Sequence, residues 1–323
     1  MGRYILKRIL ATIPVLLCVT FVIFTLMHFT DGDPARLILG DTASEAEVMA
    51  MRSEMGLDKP FLEQYFRYLA GLLRGDLGIS YMTKMPVSSE IMNRLPVTAR
   101  LAFLSCLFAI CVGVPAGIIS AVRQYSILDN ILTVLALLGI TMPNFWLALM
   151  LILFFSVSLG ILPASGLYGP IYYIMPIISI SAASVATITR MTRSSMLEVI
   201  RSDYIRTARA KGLSEREVIF RHALKNALIP ILTIVGIQFA SGLSGAVVNE
   251  QVFAIPGIGK MMIDAIKNRN YPLVEGGVLV IAVMCCLVNL AVDLMYAVAD
   301  PRIKMQYTKA KRKETRDAKE GKE

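Results

Sequence analysis

Residues 131–159 read ILTVLALLGITMPNFWLALMLILFFSVSL, with no Asp, Glu, Lys, Arg or His. About 20 apolar residues in a helix cross the roughly 30 Å of a bilayer's hydrocarbon. One Asp, Lys or Arg at mid-span would cost about 2.5–3.5 kcal/mol on the insertion scale, so a run this clean is read as membrane-spanning. Five more long apolar runs stand around it, at residues 9–29, 97–122, 172–189, 227–248 and 276–298, with no more than one Asp, Glu, Lys, Arg or His in any of them. The 323-residue chain is 55% hydrophobic, which is too apolar for an ordinary soluble domain. The runs are continuous and do not alternate, which argues against a β-barrel. The expectation is an all-α integral membrane protein with six transmembrane helices.

The net charge of +9 is unevenly spread. Residues 1–8 carry Arg3, Lys7 and Arg8, and Arg123 sits between spans two and three. Residues 190–225 hold nine Lys/Arg against four acids, and the basic tail 299–323 holds nine against five. Residues 30–95 reverse the balance, with seven against ten. Positive-inside asymmetry then puts both termini and the 190–226 loop in the cytoplasm and residues 30–95 outside, a topology six spans permit. The first run follows a basic start but is longer than a signal-peptide core and precedes no small-residue cleavage pattern, so it reads as a retained anchor.

The outer segment carries helix signals. Ser44-Glu45-Ala46-Glu47 is a capping box opening a helix that stops at Gly56. Pro60 suits a first helical position, and Leu62, Tyr65, Phe66, Leu69, Leu72 and Leu73 follow at helical spacing. Two amphipathic helices would thus form a small outer lobe, covered most economically by the membrane domain itself. Pro86 and Pro96 bracket an expected elbow into span two. The five cysteines all lie in apolar runs, without metal-ligand spacing, and read as packing residues.

Polar residues within the spans are few. Asn144 follows Pro143, where a kink would free backbone groups, and Gln238 lies midway along span five. Gly236, Ala240 and Ser244, with Ser241 and Gly245, recur at four-residue spacing that lets helices approach closely. Asn144, Gln238, Ser241, Asn249 and Glu250 are candidates for a polar translocation path. Asp293 is the acid well inside a span, and a buried acid in lipid seeks a partner. Arg190, at similar depth, is the expected one in a structural ion pair.

The most distinctive segment is 202–226, SDYIRTARAKGLSEREVIFRHALKN. Ser202 and Asp203 can cap a short helix through Lys211, which Gly212 ends in the left-handed conformation that glycine adopts cheaply. Ser214-Glu215-Arg216-Glu217 is a second capping box that restarts a helix into span five. Tyr204, Ile205, Thr207, Ala208 and Ala210 would be available to fill a partner's groove, with Arg206, Arg209 and Lys211 around them.

This loop resembles the signature loop of the membrane subunits of binding-protein-dependent ABC importers, in the dipeptide/oligopeptide/nickel permease family. Counting back from Gly212, Arg206-Thr207-Ala208 stands where the general signature has Glu-Ala-Ala, and His222-Ala223-Leu224-Lys225 lacks the usual proline. The likeness extends through Gly32-Asp33-Pro34, MGLDKPFLEQYFRYLAGLLRGDLGIS (55–80), MPNFW (142–146), LGILPASG (159–166), QVFAIPGIG (251–259) and ADPRIK (299–304). It implies a type I ABC permease fold over residues 94–301 in a bacterial or archaeal cell membrane. It also implies a paralogous permease partner, two cytoplasmic ATPases receiving a coupling helix at Ser202–Gly212, and an extracytoplasmic solute-binding protein. The solute would be a dipeptide, oligopeptide, glutathione or nickel chelate.

The residues agree with a passive gate. No G-x-x-x-x-G-K-[ST] phosphate loop is present, so ATP and Mg²⁺ would bind partner subunits and this chain would carry no cofactor. The two histidines, His28 and His222, fall on opposite sides of the membrane and cannot assemble a metal pair or a triad. A stand-alone ion-coupled transporter would need ionisable groups at mid-membrane, and Asp293 is off-centre. The basic run 309–313 fits anionic lipid better than nucleic acid.

Overall fold

A computed structural model describes residues 2–30, 32–40 and 42–299. The basic tail, with all of the 299–304 stretch after Ala299, lies outside the described residues, as do the side chains of Arg3, Lys7 and Ser244. The described elements are helical. They are α1 (Gly2–Phe29), α2 (Pro34–Leu39), α3 (Glu45–Glu54), α4 (Phe61–Leu73), α5 (Val87–Val122), α6 (Ile127–Thr141), α7 (Asn144–Leu151), α8 (Ile174–Ile200), α9 (Asp203–Ala210), α10 (Glu215–Glu217), α11 (Leu224–Val252), α12 (Ile258–Lys267) and α13 (Tyr271–Ala299). A π-helical segment, Ile152–Ser158, extends α7, and another, Val218–Ala223, joins α10 to α11.

Among the described residues five helices are long and apolar enough to cross a membrane, and α6 with α7 makes a sixth if counted as one bent span. That pair is the 131–159 run. It does not merely kink: the two halves meet at 106°. Pro143 has no N–H to donate and sits as the extended cap of α7, while α6 ends at Thr141 with Met142 as its extended C-cap. The expected elbow at 87–95 is also corrected, because α5 runs through Pro96 and Pro115 as one helix of 36 residues. Span four likewise continues to Ile200, so the charged loop starts at Arg201 and not at residue 190 as hydropathy suggests.

The tightest packing is between α5 and α8. Every fourth residue of α5, from Leu101 through Ser105, Ala109, Gly113 and Gly117 to Ala121, is buried. A Cβ on Gly117 would lie 2.5 Å from Thr192 Cβ and 2.6 Å from the Thr189 carbonyl oxygen. One on Gly113 would lie 3.0 Å from the Val185 carbonyl oxygen. Small residues here bring backbone against neighbour, the main source of helix affinity where lipid removes the hydrophobic drive. Gly236 plays the same part between α11 and α13, where a Cβ would fall 2.3 Å from Val292 Cγ2.

Charge fastens the ends. Asp129, in the first turn of α6, is buried and takes a two-pronged bond from Arg193 of α8, with Nε and Nη2 each at 2.8 Å. The Tyr125 amide at 2.9 Å and the Ser120 hydroxyl complete its shell. Asp293 is paired, but with Arg8 Nη2 at 2.9 Å and not with the expected Arg190. Arg190 is exposed on α8, whereas α1 lies along α13 and carries Arg8 to the carboxylate.

The lobe is seated by α4 on α1. Tyr65 meets Phe21 and Phe24 with ring centroids 5.3 Å apart, and Phe61 meets Phe24 at 5.4 Å. The Ser44–Glu47 box closes in both directions. Pro60 is the cap of α4 and not its first residue. Asp33 explains the Gly-Asp-Pro stretch: it caps α2 through the Ala35 amide at 3.0 Å, pairs with Arg52 at 2.9 Å, and is followed by Pro34 at the first helical position. The membrane domain covers only part of the lobe, since Leu62, Phe66 and Leu73 remain exposed.

Replacing Gly117 by Ala is expected to cost about 1–3 kcal/mol through overpacking. The same change at Gly242, where no atom lies within 4 Å of the added methyl, is expected to be neutral or slightly stabilising. Thermal unfolding of the two variants in detergent checks the contrast. Asp129→Ala, which strands the Arg193 guanidinium, is expected to lower the unfolding temperature more than Arg8→Ala, because Arg8 is about half exposed and Asp129 is not.

Candidate functional site

The segment 202–226 folds as a helix, a glycine break and a second helix. Gly212 has φ of +78°, and no atom lies within 4 Å of a Cβ built there, so its requirement is conformational and not steric. Ser202 holds the extended N-cap geometry, but its hydroxyl donates to the Val199 carbonyl at 2.6 Å and gives α9 no side-chain cap. Ser214 accepts from the Glu217 amide at 3.3 Å; the Glu217 carboxylate turns to Arg221 at 2.9 Å, so this box is half formed. Across the break, Arg209 grips Glu215 through Nε at 2.7 Å and Nη2 at 3.2 Å, and that bond keeps its guanidinium still more firmly protonated.

The helix has two faces, which corrects one expectation. Ile205 and Ala208, expected to fill a partner's groove, are 0% and 7% exposed. They sit in a core formed by Ile118 and Ala121 of α5, Met196 of α8, the Val218–Ala223 turn, and Ala227 and Ile231 of α11. Their i, i+3 spacing puts both on one side, and that side meets the chain's own hydrophobic cluster. The outward residues are Asp203, Tyr204, Arg206, Thr207, Arg209, Ala210, Lys211 and Gly212. Tyr204 is further held by the Asn226 amide, 2.9 Å from its hydroxyl.

The polar residues picked within the spans do not form one group. Asn249 and Glu250 are fully buried and face no open passage. Asn249 Oδ1 accepts from the Ser179 hydroxyl at 2.7 Å, and Gln238 Nε2 donates to the Ser184 hydroxyl at 3.1 Å. These two bonds pin α11 to α8. Asn144 approaches the Gly245 position, 3.7 Å from a Cβ built there. Ser241 is exposed.

Glu250 organises the loop after α11. Its carboxylate accepts from the Thr98 hydroxyl at 2.6 Å and the Lys260 amide at 3.1 Å, while Thr98 itself accepts from the Ile258 amide at 2.9 Å. A Cβ on Gly257 would lie 2.2 Å from the carboxylate carbon, and one on Gly259 would lie 2.4 Å from Val247 Cα. The glycines of QVFAIPGIG are thus where a buried carboxylate needs backbone close by. Thr98 escaped sequence reading because a threonine at the mouth of an apolar run carries no signal of its own.

Comparison with known proteins gives this geometry a context. Residues 113–305 match the family model described as binding-protein-dependent transport system inner membrane component, and residues 1–102 match the model of its N-terminal part. The dipeptide transport system permease protein DppB of Alkalihalophilus pseudofirmus is 43% identical, over 94% of this chain and 100% of that one. DppB of Escherichia coli K12 is 40% identical, over 94% and 99%. The glutathione transport system permease protein GsiC of an E. coli O6:H1 strain is also 40% identical over the same shares. Among solved structures, an inward-facing MetNI methionine ABC transporter superposes with a TM-score of 0.53 at 20% identity, covering 65% of this chain and 96% of that one, which is a likeness of fold. The membrane helices, the glycine-broken loop and these matches over most of its length agree: the chain belongs to the binding-protein-dependent transport system inner membrane component family, the multi-pass permease subunits of ABC importers.

Proposed function

We propose that this chain forms half of a translocation pathway for a di- or oligopeptide, or a peptide-like solute such as glutathione, and that separate ATPase subunits drive it through α9. The names of its relatives support the solute class. The observation that carries the mechanism is the two-faced α9: Ile205 and Ala208 are locked into the chain's own core, while Tyr204, Arg206, Thr207, Arg209, Ala210 and Lys211 face out. A groove on a partner can hold the outer face as a helix-in-groove contact. A push there then moves α5, α8 and α11 together, because all three contribute to the cluster under α9.

The remaining partners follow from charge and exposure. The basic ends and loop support a topology with both termini and α9 in the cytoplasm and the lobe outside. The exposed apolar faces of α6 and α7, including Leu135, Leu138, Phe145 and Phe154, suit lipid and a paralogous permease subunit. The exposed Leu62, Phe66 and Leu73 of the lobe suit contact with an external solute-binding protein. ATP and its Mg²⁺ belong to the ATPases in this scheme.

Gly212→Val is expected to strain the break by about 1–2 kcal/mol without a clash, and Arg209→Glu to break the staple across it. Both are expected to lower dipeptide uptake by proteoliposomes severalfold while ATP hydrolysis and membrane insertion persist. Uptake equal to wild type in both would overturn the coupling role. Ile205→Ala leaves the outer face intact but loosens its seat. It is expected to keep the ATPases bound and still uncouple uptake, which separates docking from transmission.

A further inference from the structure

Under the lobe, between α1, α4 and the first turns of α13, lies a cavity of about 220 Å³. Phe24, His28, Tyr68, Tyr81, Tyr271 and Glu275 line it. Glu275 is 6% exposed, and among the described residues its carboxylate has neither a hydrogen bond nor an ion pair. The Tyr68 hydroxyl beside it is buried and also without a partner. Arg67 lines the same cavity, yet its guanidinium is mostly exposed and lies 3.6 Å from Glu63. A carboxylate largely removed from bulk water and given no partner by its own chain is costly, and ionisable residues so placed near a membrane mark functional sites.

The donor set indicates what that partner is. A divalent cation needs several hard ligands, and no three His, Cys, Asp or Glu side chains gather among the described residues. One carboxylate, two phenol oxygens and several aromatic faces instead suit an ammonium, which brings three N–H donors and is drawn to ring faces. Burial, and after it the Glu275 charge, pushes the Tyr68 and Tyr81 phenols up, so both stay neutral and able to accept. The volume lies below the roughly 300 Å³ of pockets for drug-sized ligands, which fits a headgroup-sized amine.

We propose that this cavity binds a primary ammonium group, with the Glu275 carboxylate as counter-ion and Tyr68 and Tyr81 as neutral acceptors. The ammonium comes either from a small soluble amine or from a phosphoethanolamine lipid headgroup. The site lies outside α8, α9 and α11 and does not depend on the solute proposed above.

The test uses the full-length chain purified with its partner subunits in detergent. Ethanolamine binding is followed by calorimetry, and retention of phosphatidylethanolamine over phosphatidylglycerol by native mass spectrometry. At least one probe is expected to bind wild type, about tenfold or more weakly to Glu275→Gln, and several-fold more weakly to Tyr81→Phe. Ethanolamine binding assigns a soluble amine; selective lipid retention without it assigns the headgroup. Binding of neither probe, or equal binding by Glu275→Gln, overturns the proposal. If Glu275→Gln does not purify, equal affinity in Tyr68→Phe and Tyr81→Phe overturns it instead.

Discussion

Everything in this molecule leans on α8, and α8 is held by the close approach of two glycines. At Gly113 and Gly117 the backbone of α5 comes so near that a single methyl would strike Ile188, Thr192 or the carbonyls of Val185 and Thr189. Contacts this short are short-range: dispersion falls away within an ångström, so helices that touch here are fixed in depth and rotation. The opposite side of α8 is held differently, by the Ser179–Asn249 and Ser184–Gln238 hydrogen bonds to α11. One seam is set by shape and the other by polar pairing, and between them α8 has no freedom to slide alone.

The same helix connects the two ends of the fold. At one end, the last turn of α11 carries Asn249 and Glu250, and Glu250 gathers Thr98 and the Lys260 amide into the loop before α12. At the other, Arg193 closes on Asp129, and Met196 enters the cluster that seats α9. The buried carboxyl groups at both places are bonded, Asp129 by four donors and Glu250 by the Thr98 hydroxyl and the Lys260 amide. Glu275 is the exception among the described buried acids, and its isolation sets it apart from these structural carboxylates.

Periodicity and charge made most of the helices legible, together with Gly212 and the Ser44 box, since those signals are local. What sequence could not supply was which distant surfaces meet. Asp293 announced a need for a cation but not its source, and depth alone favoured Arg190 over Arg8, which is 285 residues away. Asp129 carried no signal of its own, because it stands just before the apolar run that begins at Ile131. The Pro143 break was visible, but its 106° bend depends on how α6 and α7 pack against α8. Ile205 and Ala208 showed an apolar i, i+3 pair in a charged helix. Nothing local said whether that pair faced a partner or the chain's own core.

That last distinction decides how a push on α9 would act under the proposed function. A coupling helix whose apolar residues belonged to the partner would be a tether, able to pull but free to pivot on Gly212. With Ile205 and Ala208 in a core shared by α5, α8 and α11, the helix is part of the membrane body, and Arg209–Glu215 braces the one flexible joint. Displacement therefore enters three spans at once. The Val218–Ala223 turn has the wider π-helical pitch, and Pro230 removes a backbone donor twelve residues beyond its start. Compliance in this body is thus concentrated at the base of α11. On the proposed route that is where a rigid shove on α9 becomes rotation of the span whose last turn carries Glu250.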